Sequence, residues 1–228
     1  MKIKKSDVST TSSGTSVVTV SSSSTTTYTK INMLGGTVNG SIYGGGNNNG
    51  SGTTAITSTI NITMNAGTVK GSIFGGSRTT GTIYGSTNVK INGGNVATDV
   101  YGGGEGNNTY VSRDRSVVIG DTANTLTPTI DNSVYGGSAF GTVNGTTHTT
   151  TLSTYTTKVT VNKGVITNSV FGGGKGSSSY TPYVEGDVTV TINDGNIGNV
   201  FGGCDAAGVP IGSVKVYLNG GTIGNAYG

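Results

Sequence analysis

The sequence predicts an all-β fold, a right-handed parallel β-helix (β-solenoid) of about seven coils with two to three short strands per coil. Three observations predict it. An aromatic residue followed by glycine recurs at Tyr43, Phe74, Tyr101, Tyr135, Phe171, Phe201 and Tyr227, at intervals of 31, 27, 34, 36, 30 and 26 residues. A loose period near 30 means one supersecondary unit per repeat, with insertions in the loops. Each repeat also carries a short apolar alternation of period two, the mark of a half-buried strand. Finally, no segment holds a helical period of useful length, and glycine, 42 of 228 residues, interrupts throughout.

Residues 1–27 form a Ser/Thr-rich N-terminal arm with one apolar alternation, Val17-Val18-Thr19-Val20, read as a flexible or an extended arm, the latter able to add a strand to the first repeat. Residues 28–228 form the repeats. Each opens on a strand: Ile62-Thr63-Met64-Asn65, Val89-Lys90-Ile91-Asn92, Val159-Thr160-Val161-Asn162, Val190-Thr191-Ile192-Asn193 and Val216-Tyr217-Leu218-Asn219 superimpose. The aliphatic residues face in, and the Thr, Lys and Tyr between them face out. Two residues beyond the asparagine stands a glycine (Gly67, Gly94, Gly164, Gly195, Gly221), which lets the chain turn a corner at positive φ. A second strand ends on the aromatic residue, as in Thr68-Val69-Lys70-Gly71-Ser72-Ile73-Phe74, and the double glycine after it turns a second corner. A polar loop then leads, in some repeats, to a weaker third strand such as Thr82-Ile83-Tyr84 or Thr142-Val143-Asn144.

One coil cannot bury its own inner face. Stacking at about 4.8 Å places like positions above one another and makes a continuous core. Right-handed winding follows from the usual hand of parallel β crossovers. A β-sandwich also has many short strands and glycine turns, but it has no reason to repeat one aromatic-Gly-Gly corner in register.

Bulk composition excludes several classes. Collagen needs a Gly-X-Y period and much proline, whereas this chain has no such period and three prolines. A net charge of +3 from basic residues scattered along the sequence is no nucleic-acid footprint. The single cysteine, Cys204, stands where other repeats carry Gly or Ser and reads as a small packed residue. No stretch approaches the roughly 18 apolar residues of a membrane span. The basic start, Met1-Lys2-Ile3-Lys4-Lys5, runs into a polar tract without the apolar stretch of a secretory signal.

Two sets of positions stand out. The aromatic column (Tyr43, Phe74, Tyr101, Tyr135, Phe171, Phe201, Tyr227) either fills the core as a corner ladder or, facing out, offers ring faces to sugars. Exchange of Phe for Tyr within it implies that the hydroxyl is dispensable. The asparagine column (Asn65, Asn92, Asn162, Asn193, Asn219) is expected to hydrogen-bond along the axis. Weaker candidates are few. Gly103-Gly104-Glu105-Gly106-Asn107-Asn108 approaches a calcium repeat but ends on Asn where an acid belongs. Glu185 and Asp187 could share one strand face as a carboxylate pair, though a solvated edge is the simpler reading. Arg113-Asp114-Arg115 reads as a loop salt bridge or protective edge charge, and His148 has no partners in its Thr-rich surroundings. No Gly-Lys-Ser/Thr phosphate loop precedes a helix. No catalytic, cofactor-binding or metal-ligating set is therefore expected, and the chain is read as a non-enzyme without cofactor.

The units ending Val-Tyr-Gly-Gly-Gly and Val-Phe-Gly-Gly, with Val-x-Ile-Asn-x-Gly before them, resemble the β-helical repeats of adhesin-like surface proteins from gut bacteria. Similar β-helices occur in phage tail fibres and spikes. The resemblance covers about residues 30–228. It implies a stiff attachment or fibre element, of a virion appendage first and of a bacterial cell surface second, with a polysaccharide-degrading enzyme a distant third. Expected partners are further copies or repeats, stacked end to end or as a trimer, and a surface glycan; nucleic acid binding and membrane insertion are not expected. A virion or extracellular location goes with this. The loops 104–116 and 138–157, the largest excursions, are the expected recognition surfaces. The sequence stops at Tyr227-Gly228 inside a repeat without a polar cap, which itself predicts stacking or further repeats.

Overall fold

The computed structural model describes residues 8–9, 18–21, 28–47, 55–146 and 151–228. His148 and part of the loop 138–157 lie outside the described residues. The chain winds into a parallel β-solenoid with three faces. The first face stacks Tyr28–Met33, Thr59–Met64, Thr87–Ile91, Arg115–Ile119, Thr157–Val161, Val188–Ile192 and Val214–Leu218, each parallel to the next. The third face stacks six short strands, from Ala55–Ile56 to Val209–Pro210. There are thus six complete windings, and a seventh that carries the first two faces, against the seven expected.

The second face differs from the expectation of two to three strands per coil. In the early windings it is split in two, as in Thr68–Val69 and Ile73–Phe74, which makes four strands per winding. From the fifth winding on, the halves fuse into Val165–Phe171, Asn196–Phe201 and Thr222–Tyr227, with a register irregularity between Ile166 and Ser169 where the split used to be.

At the N-terminal end the chain runs the other way. Val18–Ser21 pairs antiparallel with Tyr28–Met33, and Val8–Ser9 pairs antiparallel with Thr37–Val38. The Ser/Thr-rich arm so supplies strands to the first winding, on backbone edges that would otherwise stand open.

Register explains the core. Ile62, Val89, Val117, Val159, Val190 and Val216 lie directly above one another on the first face. Val69, Val96 and Ile130 do the same on the second face, and Ile83, Val111 and Val143 on the third. All three columns meet in a single apolar cluster inside the tube. Each fully buried Val or Ile contributes roughly 1.5–3 kcal/mol.

Two kinds of glycine shape the corners. Gly94, two residues past Asn92, has φ +87°, where a side chain is disfavoured, and a Cβ there would also meet Gly67 O at 2.5 Å. The first glycine of each double glycine serves differently. At Gly102 the φ is ordinary, but a Cβ would lie 2.3 Å from Gly136 O and 3.2 Å from Val117 Cγ2. The backbones of successive windings approach too closely there for any side chain.

Candidate functional site: the outer aromatic stack and its polar rim

Each aromatic residue follows an aliphatic one that points into the tube, and side chains alternate along a strand. The rings must therefore leave the core on the opposite side of the sheet. They form a second cluster of their own with Ala139 and Phe140. Seven rings make one continuous stack, Tyr43–Phe74–Tyr101–Tyr135–Phe171–Phe201–Tyr227, with centroids 4.6–5.0 Å apart and planes within 9° of parallel. The stack is neither the core filler nor the open sugar platform that the sequence left as alternatives. It lies outside the tube, yet Phe74, Tyr101, Tyr135 and Phe171 are buried. Ring faces inside the stack are taken up by one another, so no sugar can lie on them.

What covers the ring edges is the set of loops that follow the double glycines. Tyr43 donates its hydroxyl to Glu105 at 2.6 Å, and Arg78 binds the same carboxylate at 3.7 Å while lying over the Tyr43 ring. Tyr135 donates to Asp205 at 2.9 Å, two windings further on. Tyr101 donates to Asp99 at 3.0 Å. So the hydroxyl is dispensable for stacking but not idle. Where Tyr stands in place of Phe in these windings, it ties a carboxylate to the stack.

Asp99 is the centre of this rim. Its side chain is nearly buried and accepts from Tyr101 Oη, from Asn132 Nδ2 at 2.8 Å, from Ser133 N at 3.1 Å and from Lys175 Nζ at 3.3 Å. Sequence reading missed it, although the signal was there. The residue just before each aliphatic–aromatic pair is small and polar: Ser41, Ser72, Asp99, Ser133, Ser169, Asn199 and Asn225. In the structure these side chains bond from winding to winding, for example Ser72 N to Ser41 Oγ at 3.0 Å and Ser169 N to Ser133 Oγ at 3.3 Å. Asp99 is the charged member of a serine column.

Burial and the adjacent carboxylates make the tyrosine hydroxyls hard to ionise. Burial, then the hydrogen bond and charge of Glu105, push Tyr43 up to about 12. Burial first, then Asp99, raise Tyr101, and burial first, then Asp205, raise Tyr135. A raised folded-state value gives stability that is fully present below the ordinary tyrosine pKa of about 10 and is lost as pH rises above it. Denaturant midpoints are therefore expected to fall from about pH 10 upward. Tyr43→Phe, which keeps the ring and removes the proton, is expected to shallow that fall and to remove one late-titrating group from the 295 nm absorbance titration.

The asparagine column lies on the outer side of the first corner. Asn92 Nδ2 donates to Asn65 Oδ1 at 2.7 Å, Asn193 to Asn162 at 2.9 Å and Asn219 to Asn193 at 2.8 Å. The sequence skipped the fourth winding because Gly120 stands there. Asn162 Nδ2 bridges the gap by donating to Gly120 O at 3.2 Å, while the buried Asn92 Oδ1 has no partner among the described residues. Gly120 has no side-chain amide to offer it, and its backbone N–H is donated to Ile91 O at 2.8 Å.

Arg115 and the Glu185/Asp187 pair resolve differently from their sequence readings. Arg115 is not an edge charge. It opens a first-face strand at the inward position shared by Thr87 and Thr157, and is 1% exposed. Its Nη1 donates to Val111 O at 3.0 Å, and its Nη2 donates to Thr156 O at 3.2 Å and to Thr157 Oγ1 at 3.1 Å. In neighbouring windings the residue after the third-face strand satisfies the matching carbonyl, as Ser112 N does for Ile83 O and Glu185 N for Val143 O. Asn144 instead has φ +67°, and the guanidinium takes over that bond. Burial pulls Arg115 down to about 9, partly opposed by Asp114. Both folded and unfolded states hold the proton below pH 9, so the cost of burying the charge is fully present at neutral pH. Arg115→Lys keeps the charge but loses the planar fork, and is expected to cost about 3 kcal/mol or more in urea denaturation. Arg115→Leu removes the charge and leaves Val111 O unsatisfied, at about 1–3 kcal/mol. The order Lys worse than Leu is the outcome to check.

Glu185 and Asp187 share no strand. They fall at the corner between Tyr183–Val184 and Val188–Ile192, where Asp187 Oδ1 accepts from Ser213 N at 2.8 Å. Glu105, the acid of the calcium-like segment, is engaged by Tyr43 and Arg78. Cys204 is half-buried, and burial raises its thiol pKa. The site as a whole is a brace: acids, tyrosines and a lysine from different windings lock loops onto the outer stack.

No protein family, no curated protein and no solved structure matches the chain.

Proposed function

We propose that the chain is a non-enzymatic, stiff β-solenoid element of an attachment appendage, a phage tail fibre or similar virion part. One observation carries the reading. The apolar core, the aromatic stack and the polar column before it all run from winding to winding without a hinge among the described residues. A repeat whose contacts are all with its neighbours makes a rod. The carboxylates of the rim support the absence of catalysis, because Glu105, Asp99 and Asp205 are each bonded to a tyrosine hydroxyl of the brace.

In this reading the partners are further copies or repeats stacked on the solenoid and a surface glycan. The resemblance of the repeats to adhesin-like proteins favours a bacterial surface adhesin as the second reading. Among the described residues no helix is long and apolar enough to cross a membrane. The test is the genomic setting together with an assay. Tail genes flanking the coding region support the virion part, and a secretion signal with a wall anchor in the same reading frame replaces it by the adhesin. New reducing ends or unsaturated products on incubation with surface polysaccharides overturn the non-enzymatic assignment.

A further inference from the structure

The lysines, scattered in the sequence, are ordered by the register. On the outer side of the first face, Lys30, Lys158 and Lys215 fall in one column, in windings one, five and seven. Lys90 falls in the adjacent column, two residues along the strand, in winding three. The row thus places a lysine on every second winding. Strands are about 4.8 Å apart, so successive ammonium groups are roughly 10 Å apart along the axis. All other positions of the two columns are Asn, Ser, Thr, Val or Tyr, and none is acidic.

The carboxylates that border this face are hydrogen-bonded, and one of them is paired with a lysine. Asp121, at the end of the fourth strand, is held to Lys90 at 3.2 Å and accepts from Ala123 N. Asp114 and Asp187 lie in the next column, in windings four and six, between the lysines rather than beside them. Oδ1 of each accepts a backbone N–H, from Thr156 and Ser213 respectively, and both residues are exposed. Asp194 accepts from Gly195 N. Lys30, Lys158 and Lys215 are exposed and carry no ion pair among the described residues.

We propose that this face binds an extended anionic polysaccharide bearing one carboxylate per disaccharide, laid along the solenoid axis. The advance of two extended β-linked pyranose rings is close to two windings, so the ammonium groups of Lys30, Lys158 and Lys215, four and two windings apart, each fall opposite a carboxylate of such a chain, while Lys90 is held by Asp121. Between them, Thr, Asn and Ser side chains offer donors and acceptors to ring hydroxyls. The flat, parallel face gives the sugar chain a straight track. A nucleic acid duplex fits poorly, because its phosphates follow at about 3.4 Å per strand and call for a denser row of cations. This rests on the attachment reading and gives it a ligand class.

The test uses the full chain with four probes: hyaluronan fragments (one carboxylate per disaccharide), polygalacturonate (one on every ring), a neutral β-glucan and duplex DNA. Binding is measured by calorimetry at two salt concentrations, on the parent and on the triple variant Lys30→Gln, Lys158→Gln, Lys215→Gln. All three side chains are exposed, and unchanged circular dichroism and thermal midpoint confirm the fold. Salt-sensitive hyaluronan binding, weakened about tenfold in the triple variant, is expected from three exposed ion pairs worth a few-fold each. Equal binding by parent and variant, or tighter binding of the neutral glucan, polygalacturonate or DNA, overturns the proposal. If the variant binds hyaluronan as the parent does, the lysine face is wrong and the attachment reading stands. If the parent binds no polysaccharide at all, both fall.

Discussion

Gly102→Val is expected to prevent folding, and Gly102→Ala to cost roughly 3 kcal/mol or more. The Cβ of either residue would sit 2.3 Å from the carbonyl oxygen of Gly136 in the next winding. That oxygen cannot step aside, since the Gly102 N–H and the neighbouring carbonyls are already committed to inter-winding bonds, such as Gly102 N to Tyr135 O at 2.9 Å. The windings would have to part, and with them the core behind Val117. The control is Gly40→Ala, where a Cβ meets nothing within 4 Å. There the loss of chain freedom in the unfolded state is expected to leave stability unchanged or slightly raised, by up to about 1 kcal/mol. Denaturant midpoints of the two variants, measured side by side, check the claim that close approach and not glycine content holds this corner. A Gly102→Ala protein as stable as the parent would refute it.

Tyr101→Ala is expected to have the second largest effect, a loss of about 3–5 kcal/mol. Tyr101 is 3% exposed and stacks on Phe74 and on Tyr135, each at 4.7 Å. Truncation removes a buried ring and two stacked contacts, each contributing roughly 0.5–1.5 kcal/mol beyond area alone. It also takes one donor from Asp99, whose carboxylate stays buried. Tyr101→Phe keeps the stack and is expected to cost only about 1–2 kcal/mol, the hydrogen bond alone. Phe already occupies the same place at Phe74, Phe171 and Phe201. The gap between the Ala and Phe variants in urea denaturation measures the stack. If the two are equally destabilised, the rings contribute little and the brace rests on Asp99.

Much of this fold was legible because a solenoid writes its geometry into the period of the chain. The alternation at Val89-Lys90-Ile91 marks one strand, and its recurrence at Val159 and Val190 fixes which strands stack. Gly67 and Gly94 are where the corners are, at positive φ. Windings one and four were harder to read. Ile31-Asn32-Met33 and Val117-Val118-Ile119 follow the same rule, but Leu34 and Gly120 stand in the asparagine position and removed the marker. The side on which the aromatic residues lie was also decidable. Val100 and Tyr101 are neighbours on one strand, so if one faces the core the other cannot. What no period reveals is a contact between unlike windings. Glu105 reaches back two windings to Tyr43, Lys175 reaches Asp99, and Arg115 enters the tube to satisfy Val111 O. Glu105 and Lys175 lie in loops of different length, where period gives no register, and Arg115 stands in a strand where the neighbouring windings carry Thr87 and Thr157.

The bonds between asparagine side-chain amides all point the same way. Asn92 donates to Asn65, Asn193 to Asn162, Asn219 to Asn193 and, on the second face, Asn225 to Asn199, in each case toward the preceding winding. Aligned amides add their dipoles as peptide units do along a helix axis. The rod thus has an electrical sense. Its early windings turn amide hydrogens, and its late windings amide oxygens, toward whatever lies beyond them along the axis. Two such rods meeting in line are matched when they follow one another and opposed when they meet face to face.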